Sequence, residues 1–430
     1  MGTMTQRARR FTYVGLEVTD DTLTANFDLD GRVFRETVVF AGAGSLRPAP
    51  TTAVAQLWYL LAGLSYYKVG APPVIDLGDT PVGPHAMALL HAALVDGLGE
   101  FAYRNDLTLD DVVVEGGRAS VPAAAALDPS RVLIPFGGGI DSVVSVETLP
   151  AHLDQALFIV SPSSGRFAVL DQTAAVTGRP ILRATRAIDP QVLQPRDDQL
   201  RGHVPVTAMI TLLAALAALS TGRGGVVMSN EHSASVPNLR VGAREVNHQW
   251  SKSLAAEDLI SAALDEAVGD SLTVASLLRD RSELWVAEVF SRLPQYHQVF
   301  RSCNRAFTQD PATRAASWCG ECDKCLFIDL VLAPFVDRAA LRAMLGVEPL
   351  SDPRRLASLA DLVGLGEHHK PFECVGDPDE SAAALAATAH LATWRDVPAL
   401  AALAVRTPAG ALDDLLEPRG PTRAPAHWLR

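Results

Sequence analysis

Two stretches of this 430-residue chain combine residue types and spacings that serve chemistry, and a third gathers polar side chains where a ligand could lie. In RVLIPFGGGIDSVVSVET, residues 131–148, an apolar run from Val132 to Phe136 reads as a buried strand. Gly137, Gly138 and Gly139 break it, and Asp141 and Ser142 open a segment of helical period. A strand, a glycine turn and a helix N-terminus together make an anion site. The glycines allow positive φ and close approach of a ligand to the backbone, while the first N–H groups and the positive dipole end of the helix favour negative charge. Phosphate is the natural occupant; the bland alternative is a glycine turn with no ligand. No Lys-Ser/Thr follows the glycines, so this is no Walker A loop, and Ser142 stands where a dinucleotide fingerprint needs its third glycine.

The second stretch is rich in sulfur. Cys319, Cys322 and Cys325 in WCGECDKC form two successive C-x-x-C steps, and Cys303 in SCNRAF supplies a fourth thiol. Four thiolates on a tight knuckle predict a closed, structural zinc site. An iron–sulfur cluster takes the same ligand type, and the spacing admits either. Cys374 is remote in sequence from the other four and reads as a buried free thiol.

The third stretch follows the apolar run GVVM, where SNEHSAS exposes Ser229, Asn230, Glu231 and His232, with Asn238, Arg240, Asn247, His248, Lys252 and Ser253 beyond. Singly, Ser and Asn at a strand end are more often turn formers; as a cluster they predict a binding site. Ser161 to Ser164 occupy the same kind of strand end, and His203 precedes a long apolar helix, as a helix-start residue or as part of the same rim. Tyr66, Tyr67 and Lys68, and the run from Glu100 to Asn105, could line a cleft, although amphipathic tips of this kind more often pack helix ends. In HHKPFECVG, His368, His369, Lys370 and Glu373 could reach back to the site, a solvated loop being the commoner fate of such a run.

The elements that must position these groups follow from periodicity. Residues 10–40 alternate apolar and polar positions with turn signals at Asp20-Asp21 and Asp30-Gly31, predicting two or three antiparallel strands. Helical period takes over across 52–68 and 83–104, with an extended PPVIDL between them. After the connector 122–126, strands and helices alternate in the βαβ rhythm of a doubly wound parallel sheet, which places ligands at the carboxyl ends of its strands. The expected organisation is an N-terminal α+β domain (1–125), an α/β domain (126–300), a cysteine knuckle with a helical extension (301–376) and a helical C-terminal tail (377–430), its last residues loosely ordered.

A net charge of −12 and a pI near 5.4 argue against an extended nucleic-acid footprint. The N-terminal stretch has no apolar core of secretory length, and the longest apolar run, Val204 to Leu219, falls short of a membrane span. Clustered cysteines without a disulfide pattern fit a reducing compartment, so a cytoplasmic protein is expected.

Gly137-Gly138-Gly139-Ile140-Asp141-Ser142 resembles the PP-loop of the ATP pyrophosphatases, which split ATP into AMP and pyrophosphate to adenylate a substrate. Gly137 replaces the first serine of that motif, which removes one hydroxyl contact and leaves the amide cradle. The late cysteines are similar to those of the zinc-bearing 7-cyano-7-deazaguanine synthases, but those enzymes lack a counterpart to the first 125 residues. The order IPFGGGIDS, GHVPVTA, MSNEHSAS, NHQWSKS, WCGECDKC and HKPFECVG resembles the MurL family of ATP-dependent UDP-N-acetylmuramoyl-L-alanyl-L-glutamate epimerases. That resemblance implies an adenine nucleotide alpha hydrolase-like PP-loop domain, ATP and Mg²⁺, and a muramoyl dipeptide linked to UDP as substrate. It also implies that Gly137 to Ser142 hold pyrophosphate, that Asp141 places Mg²⁺ or the loop, and that Ser161, Ser229 and Asn230 border the nucleotide. His203, Glu231, His232, His248 and Lys252 become the candidates for base, acid and carboxylate recognition, with Asp323 and Lys324 weaker ones; spacing does not choose among them. The competing readings are a PP-loop ligase or thiolase that adenylates a nucleobase, and a nucleotide-sensing regulator without turnover.

Overall fold

A computed structural model describes residues 7–194, 196–406 and 412–429. The alternating N-terminal segment folds into three antiparallel strands, β1 (Arg10–Val18), β2 (Thr22–Leu29) and β3 (Arg32–Ala41). Asp30 at φ 51° and Gly31 at φ 91° turn β2 into β3, a pair of positive angles that Asp-Gly adopts at low strain. Two short strands, β4 (Val74–Asp76) and β5 (Val113–Glu115), continue the sheet in parallel beyond β1.

The βαβ region supplies β6 (Asp128–Pro135), β7 (Asp154–Pro162), β8 (Ile181–Ala187) and β9 (Arg223–Met228). A two-stranded ribbon of β10 (Leu239–Val241) and β11 (Arg244–Val246) intervenes before β12 (Thr273–Ser276). Among the described residues ten strands form one sheet in the order β12-β9-β6-β7-β8-β3-β2-β1-β4-β5. The sheet is mostly parallel, and it is mixed because the antiparallel N-terminal meander joins the parallel strands edge to edge, β3 against β8 from Thr37–Ala187 to Ala41–Arg183. Buried Glu36 fixes that seam: it accepts from Arg186 Nε at 2.6 Å and from the Tyr66 hydroxyl at 2.7 Å.

Period-two alternation explains the layers on both faces. Leu133, Phe158 and Val226 belong to the core formed with helices Ala49–Ala62, Val206–Ser220 and Leu254–Val268. Their neighbours Val132, Ile134, Leu157, Ile159 and Val227 belong to a second core with helices Ile140–Thr148, Glu283–Ser291 and Asp323–Leu332. Helix Val206–Ser220 is apolar nearly all round because the sheet and its neighbours cover it, and among the described residues no helix is long and apolar enough to cross a membrane. The expectation of a loosely ordered end is corrected in part. Trp428 is 1% exposed and seats against Gly225, where a Cβ would lie 2.7 Å from its ring.

Candidate active site

At the carboxyl end of β6 the glycine turn leads into helix Ile140–Thr148. Gly138 sits at φ 72°, where a side chain would meet Leu170 at 2.9 Å, and a Cβ on Gly139 would meet Ser302 Oγ at 2.7 Å. Both glycines are therefore required by geometry. Gly137 faces open space within 4 Å, on the side where a ligand can approach. Ser142 Oγ accepts from Gly138 N at 3.1 Å and donates to Gly139 O at 3.2 Å, bracing the turn. The helix N-cap is Gly139, which has no side chain to cap the first-turn N–H groups, so these point at the cleft unsatisfied by a cap.

The cleft in front of them has a volume of about 380 Å³. Gly137, Asp141 and Ser142 meet Ser229, Asn230 and Lys252 across it, with Arg301 and Ser302 to the side and Phe158, Val160, Phe167 and Phe307 forming an apolar wall. A slightly larger hollow of about 410 Å³ lies between helices Ala49–Ala62 and Leu254–Val268, but it is remote from the glycine turn and gathers only Arg47, Arg118 and Glu266 as charged groups. Only the first of the two is lined by the glycine turn. Ser161, grouped by sequence with the cleft's rim, is instead buried within β7. Alternation turns Phe158 and Val160 to the cleft and Ser161 away.

Three carboxylates converge beside the turn: Asp141, Glu231 and Glu283 each bring an oxygen within 4.8 Å of the others. Glu231 and Glu283 are 1% and 2% exposed, and Asp141 Oδ1, Glu231 Oε1 and Glu283 Oε2 are buried without a hydrogen-bond partner. Burial, then the charge of Glu231, pushes Asp141 up to about 6; burial, then Asp141, raises Glu283 well above the carboxylate range. Lys324 Nζ stands 3.9 Å from Glu283, while Asp323 turns away to Arg355 at 2.6 Å. Burial alone would lower Lys252, but the charges of Cys374, Glu231, Asp141 and Glu283 raise it. Arg279, 2% exposed, fixes the backbone around these groups, donating to Glu231 O at 3.1 Å and Lys252 O at 2.7 Å while paired with Glu257.

His248 adjoins this centre. Its Nδ1 is paired with Glu100 Oε2, and its ring lies 4.1 Å from that of His203. Burial lowers His248, but Cys374 and Glu100 outweigh that and raise it to about 9. Burial, then the charge on His248, drives His203 down to about 3, so these two tilted rings carry a single positive charge. His232 does not join them: its ring packs beside Gly420 and its N–H donates to Arg281 O at 2.8 Å. Cys374 is a free thiol as expected, but the expectation of a solvated loop is corrected, because the 370–376 segment folds inward. Asn238 Nδ2 donates to Pro371 O at 2.6 Å, and Gln249 Nε2 to Val375 O at 2.9 Å. Lys370 is buried, whereas His368 remains exposed beside Asp361. The sequence does not single out Glu283, and it reads Glu100 and Cys374 mainly as helix-end packing and a free thiol; only the tertiary fold brings Glu283 beside Asp141 and Glu100 beside His248.

The four clustered cysteines meet as the spacing predicts. Their sulfurs lie within 4.8 Å of one another, with Cys322–Cys325 at 3.4 Å and Cys319–Cys325 at 3.6 Å. A tetrahedral site with Zn–S bonds of about 2.3 Å needs S···S separations of about 3.8 Å, so the set fits such an ion. The knuckle also buttresses the glycine turn: Arg301 N, two residues before Cys303, donates to Gly138 O at 3.1 Å. Arg301 itself stacks over Trp318, the neighbour of Cys319, at 5.5 Å.

Comparison with known proteins gives two matches that together cover most of the chain. Residues 3–277 match the MurL N-terminal domain and residues 299–416 the MurL C-terminal domain. The chain is 40% identical over 396 residues to a protein of Salinispora tropica named UDP-N-acetyl-alpha-D-muramoyl-L-alanyl-L-glutamate epimerase, covering 89% of this chain and 84% of that one. Proteins of the same name from a Micromonospora species and from Xanthomonas oryzae are 41% and 39% identical, covering 88% and 87% of this chain and 85% and 84% of theirs. No solved structure matches.

Proposed function

The chain belongs to the MurL family, and we propose that it converts the terminal L-glutamate of UDP-N-acetylmuramoyl-L-alanyl-L-glutamate to D-glutamate in peptidoglycan precursor synthesis. In this reading ATP is consumed through an acyl-adenylate, and AMP and pyrophosphate leave. The observation that carries it is the meeting of the uncapped helix N-terminus after Gly139 with Asp141, Asn230, Lys252 and Arg301 around one cleft. We read the strand, turn and helix as a PP-loop, its amides together with Lys252 and Arg301 taking the phosphates and the Phe158, Phe167 and Phe307 wall taking the base.

The chemistry explains why a nucleotide is needed. Removing the α-proton beside a free carboxylate piles a second negative charge on one centre. Converting that carboxylate to a mixed anhydride with AMP lets the carbanion delocalise as an enolate, so that a base takes the proton from one face and an acid returns it to the other. Mg²⁺ suits the three orphaned carboxylate oxygens of Asp141, Glu231 and Glu283, as a hard cation with oxygen ligands, and when bound it would neutralise phosphate charge beside the turn. Zinc suits the four sulfurs as a structural ion that steadies Arg301 and the turn. Lys252 and His248 are the cationic groups available to neutralise substrate carboxylates, while His203 stays neutral beside His248. We assign the reaction to the cytoplasm, where ATP and reduced thiols coexist.

The test is incubation with the UDP-linked dipeptide, ATP and Mg²⁺ in deuterated water. AMP formation together with deuterium at the glutamyl α-carbon and D-glutamate after hydrolysis is the expected result. AMP formation on a deazapurine carboxylate with no reaction of the dipeptide would overturn it.

A further inference from the structure

Cys374 is held in the site by more than its own contacts. Asn238 clamps both sides of it: Nδ2 donates to Pro371 O at 2.6 Å in the segment that carries the thiol, and Oδ1 accepts from His248 N at 2.7 Å. Gln249, the next residue along from His248, holds Val375 O at 2.9 Å. The strap and the imidazole are thereby locked face to face. Glu100 occupies His248 Nδ1, which leaves the other ring nitrogen without that carboxylate. Pro371 O and Val375 O, both held by these amides, bracket Cys374 in the chain and set it against His248, four residues before Lys252, which lines the cleft in front of the glycine turn.

From this juxtaposition we infer that Cys374 is a catalytic residue, the group that carries the α-proton on one face of the glutamyl residue, with His248 and Glu100 as its positioning residues. The inference rests on the epimerase reading. The thiolate sulfur takes the proton, an S–H bond forming as Cα–H breaks, and the electron pair of Cα–H passes into the adenylated carboxyl as an enolate. The Lys252 ammonium delivers a proton to the opposite face, giving the inverted centre, and the thiol then returns its proton to the Lys252 amine so that both groups are reset. Burial works to raise the thiol, but Lys252 and His248 from the loop after β11 and Lys324 from helix Asp323–Leu332 override it and bring Cys374 down to about 6. The opposing charge facing it is Asp141, with Glu100 behind His248. A thiolate is therefore present at neutral pH.

Two measurements test the assignment. In Cys374→Ala and Cys374→Ser, dipeptide-dependent exchange of pyrophosphate into ATP persists, while deuterium wash-in at the α-carbon falls by about 10²- to 10⁴-fold. Undiminished wash-in in Cys374→Ala, or loss of exchange and wash-in together in a folded variant, overturns the assignment. Independently of turnover, alkylation of Cys374 by iodoacetamide, followed on its own peptide by mass spectrometry, should reach half-maximal rate near pH 6 and shift upward in His248→Gln and Lys252→Met. A wild-type thiol that reacts only near the ordinary 9.0 overturns it as well. A wild-type protein that forms no AMP with the dipeptide refutes the proposed function, whereas the alkylation profile still decides the state of the thiol.

Discussion

The Glu100→Gln substitution gives the sharpest test of the charge arrangement around His248. The His248 and Glu100 side chains are 14% and 6% exposed, and Nδ1 is paired with the carboxylate, so solvent screens little of the interaction. His248 stands at about 9 against an ordinary 6.5, two and a half pH units that at about 1.36 kcal/mol each give a ceiling of about 3 kcal/mol. Because the folded value is raised, this stabilisation is complete below pH 6.5 and is lost as pH climbs through 9. Cys374 has the opposite sign: lowered from 9.0 to about 6, it contributes fully above pH 9 and loses its contribution as pH falls through 6. Over the same window the two slopes offset each other, as expected of an imidazolium and a thiolate that form as a pair. Replacing the carboxylate by an amide keeps the shape and removes the charge, so the burial penalty on His248 is no longer fully met. Its titration should fall by about one to three pH units, the usual influence of an adjacent opposite charge. The assay is the pH dependence of the His248 ring resonances in ¹³C-labelled protein, assigned with His248→Asn. A titration that stays near 9 in Glu100→Gln would show that the carboxylate is not the source of the shift and would refute the reasoning.

Other outcomes follow from the same geometry. Asp141→Asn should keep the fold by circular dichroism and lower AMP formation by about 10²- to 10³-fold, the usual loss when one preorganised electrostatic group is removed; full turnover would contradict its role. Cys322→Ser should abolish the bound metal in elemental analysis, lower the melting temperature and weaken nucleotide binding, since Cys303 lies two residues after Arg301, whose N–H braces Gly138; an unchanged metal content would count against the knuckle. Glu36→Ala strands Arg186 at the seam of the sheet and should cost about 3 to 5 kcal/mol in urea unfolding, while a loss under 1 kcal/mol would show that the buried pair is dispensable.

What the sequence made legible was local. The turn at Gly137 to Gly139, the helix opened by Asp141 and the knuckle at Cys319 to Cys325 depend on groups a few residues apart, and their geometry follows from backbone preferences and ligand spacing. The alternating first forty residues yield β1 to β3 for the same reason. Ser161 lies at the end of the strand as expected, but parity decides which side chains face the cleft, and it turns Phe158 and Val160 there and Ser161 away. Glu100, Glu283 and Cys374 were illegible as partners because their contacts span from 100 to more than 370 in the chain, and no pattern of apolar period or local motif encodes a meeting of that kind. Lys324 lay between two cysteines, and its part in the carboxylate cluster shows only once helix Asp323–Leu332 is packed against helix Glu283–Ser291.

The charge balance of the cleft argues that this cluster exists for ligands and not for stability. Asp141, Glu231 and Glu283 crowd donor oxygens within 4.8 Å, and Lys252 and Lys324 are the nearby cations that offset them. A buried ionic cluster is commonly no more stable than a packed apolar one, and each carboxylate left without a partner adds a desolvation penalty. Three orphaned oxygens at one point are thus a standing strain on the fold, relieved when a dication binds there. A triphosphate entering the same cleft would add negative charge beside these carboxylates, so the nucleotide and the dication must favour each other's binding. On the other side of the centre the positive charges are met by more than one group: His248 is paired with Glu100, and Lys252 faces Cys374 together with Glu231, Asp141 and Glu283. The carboxylate cluster thus suits a dication, and the proposed adenylating epimerase would use it beside the glycine turn.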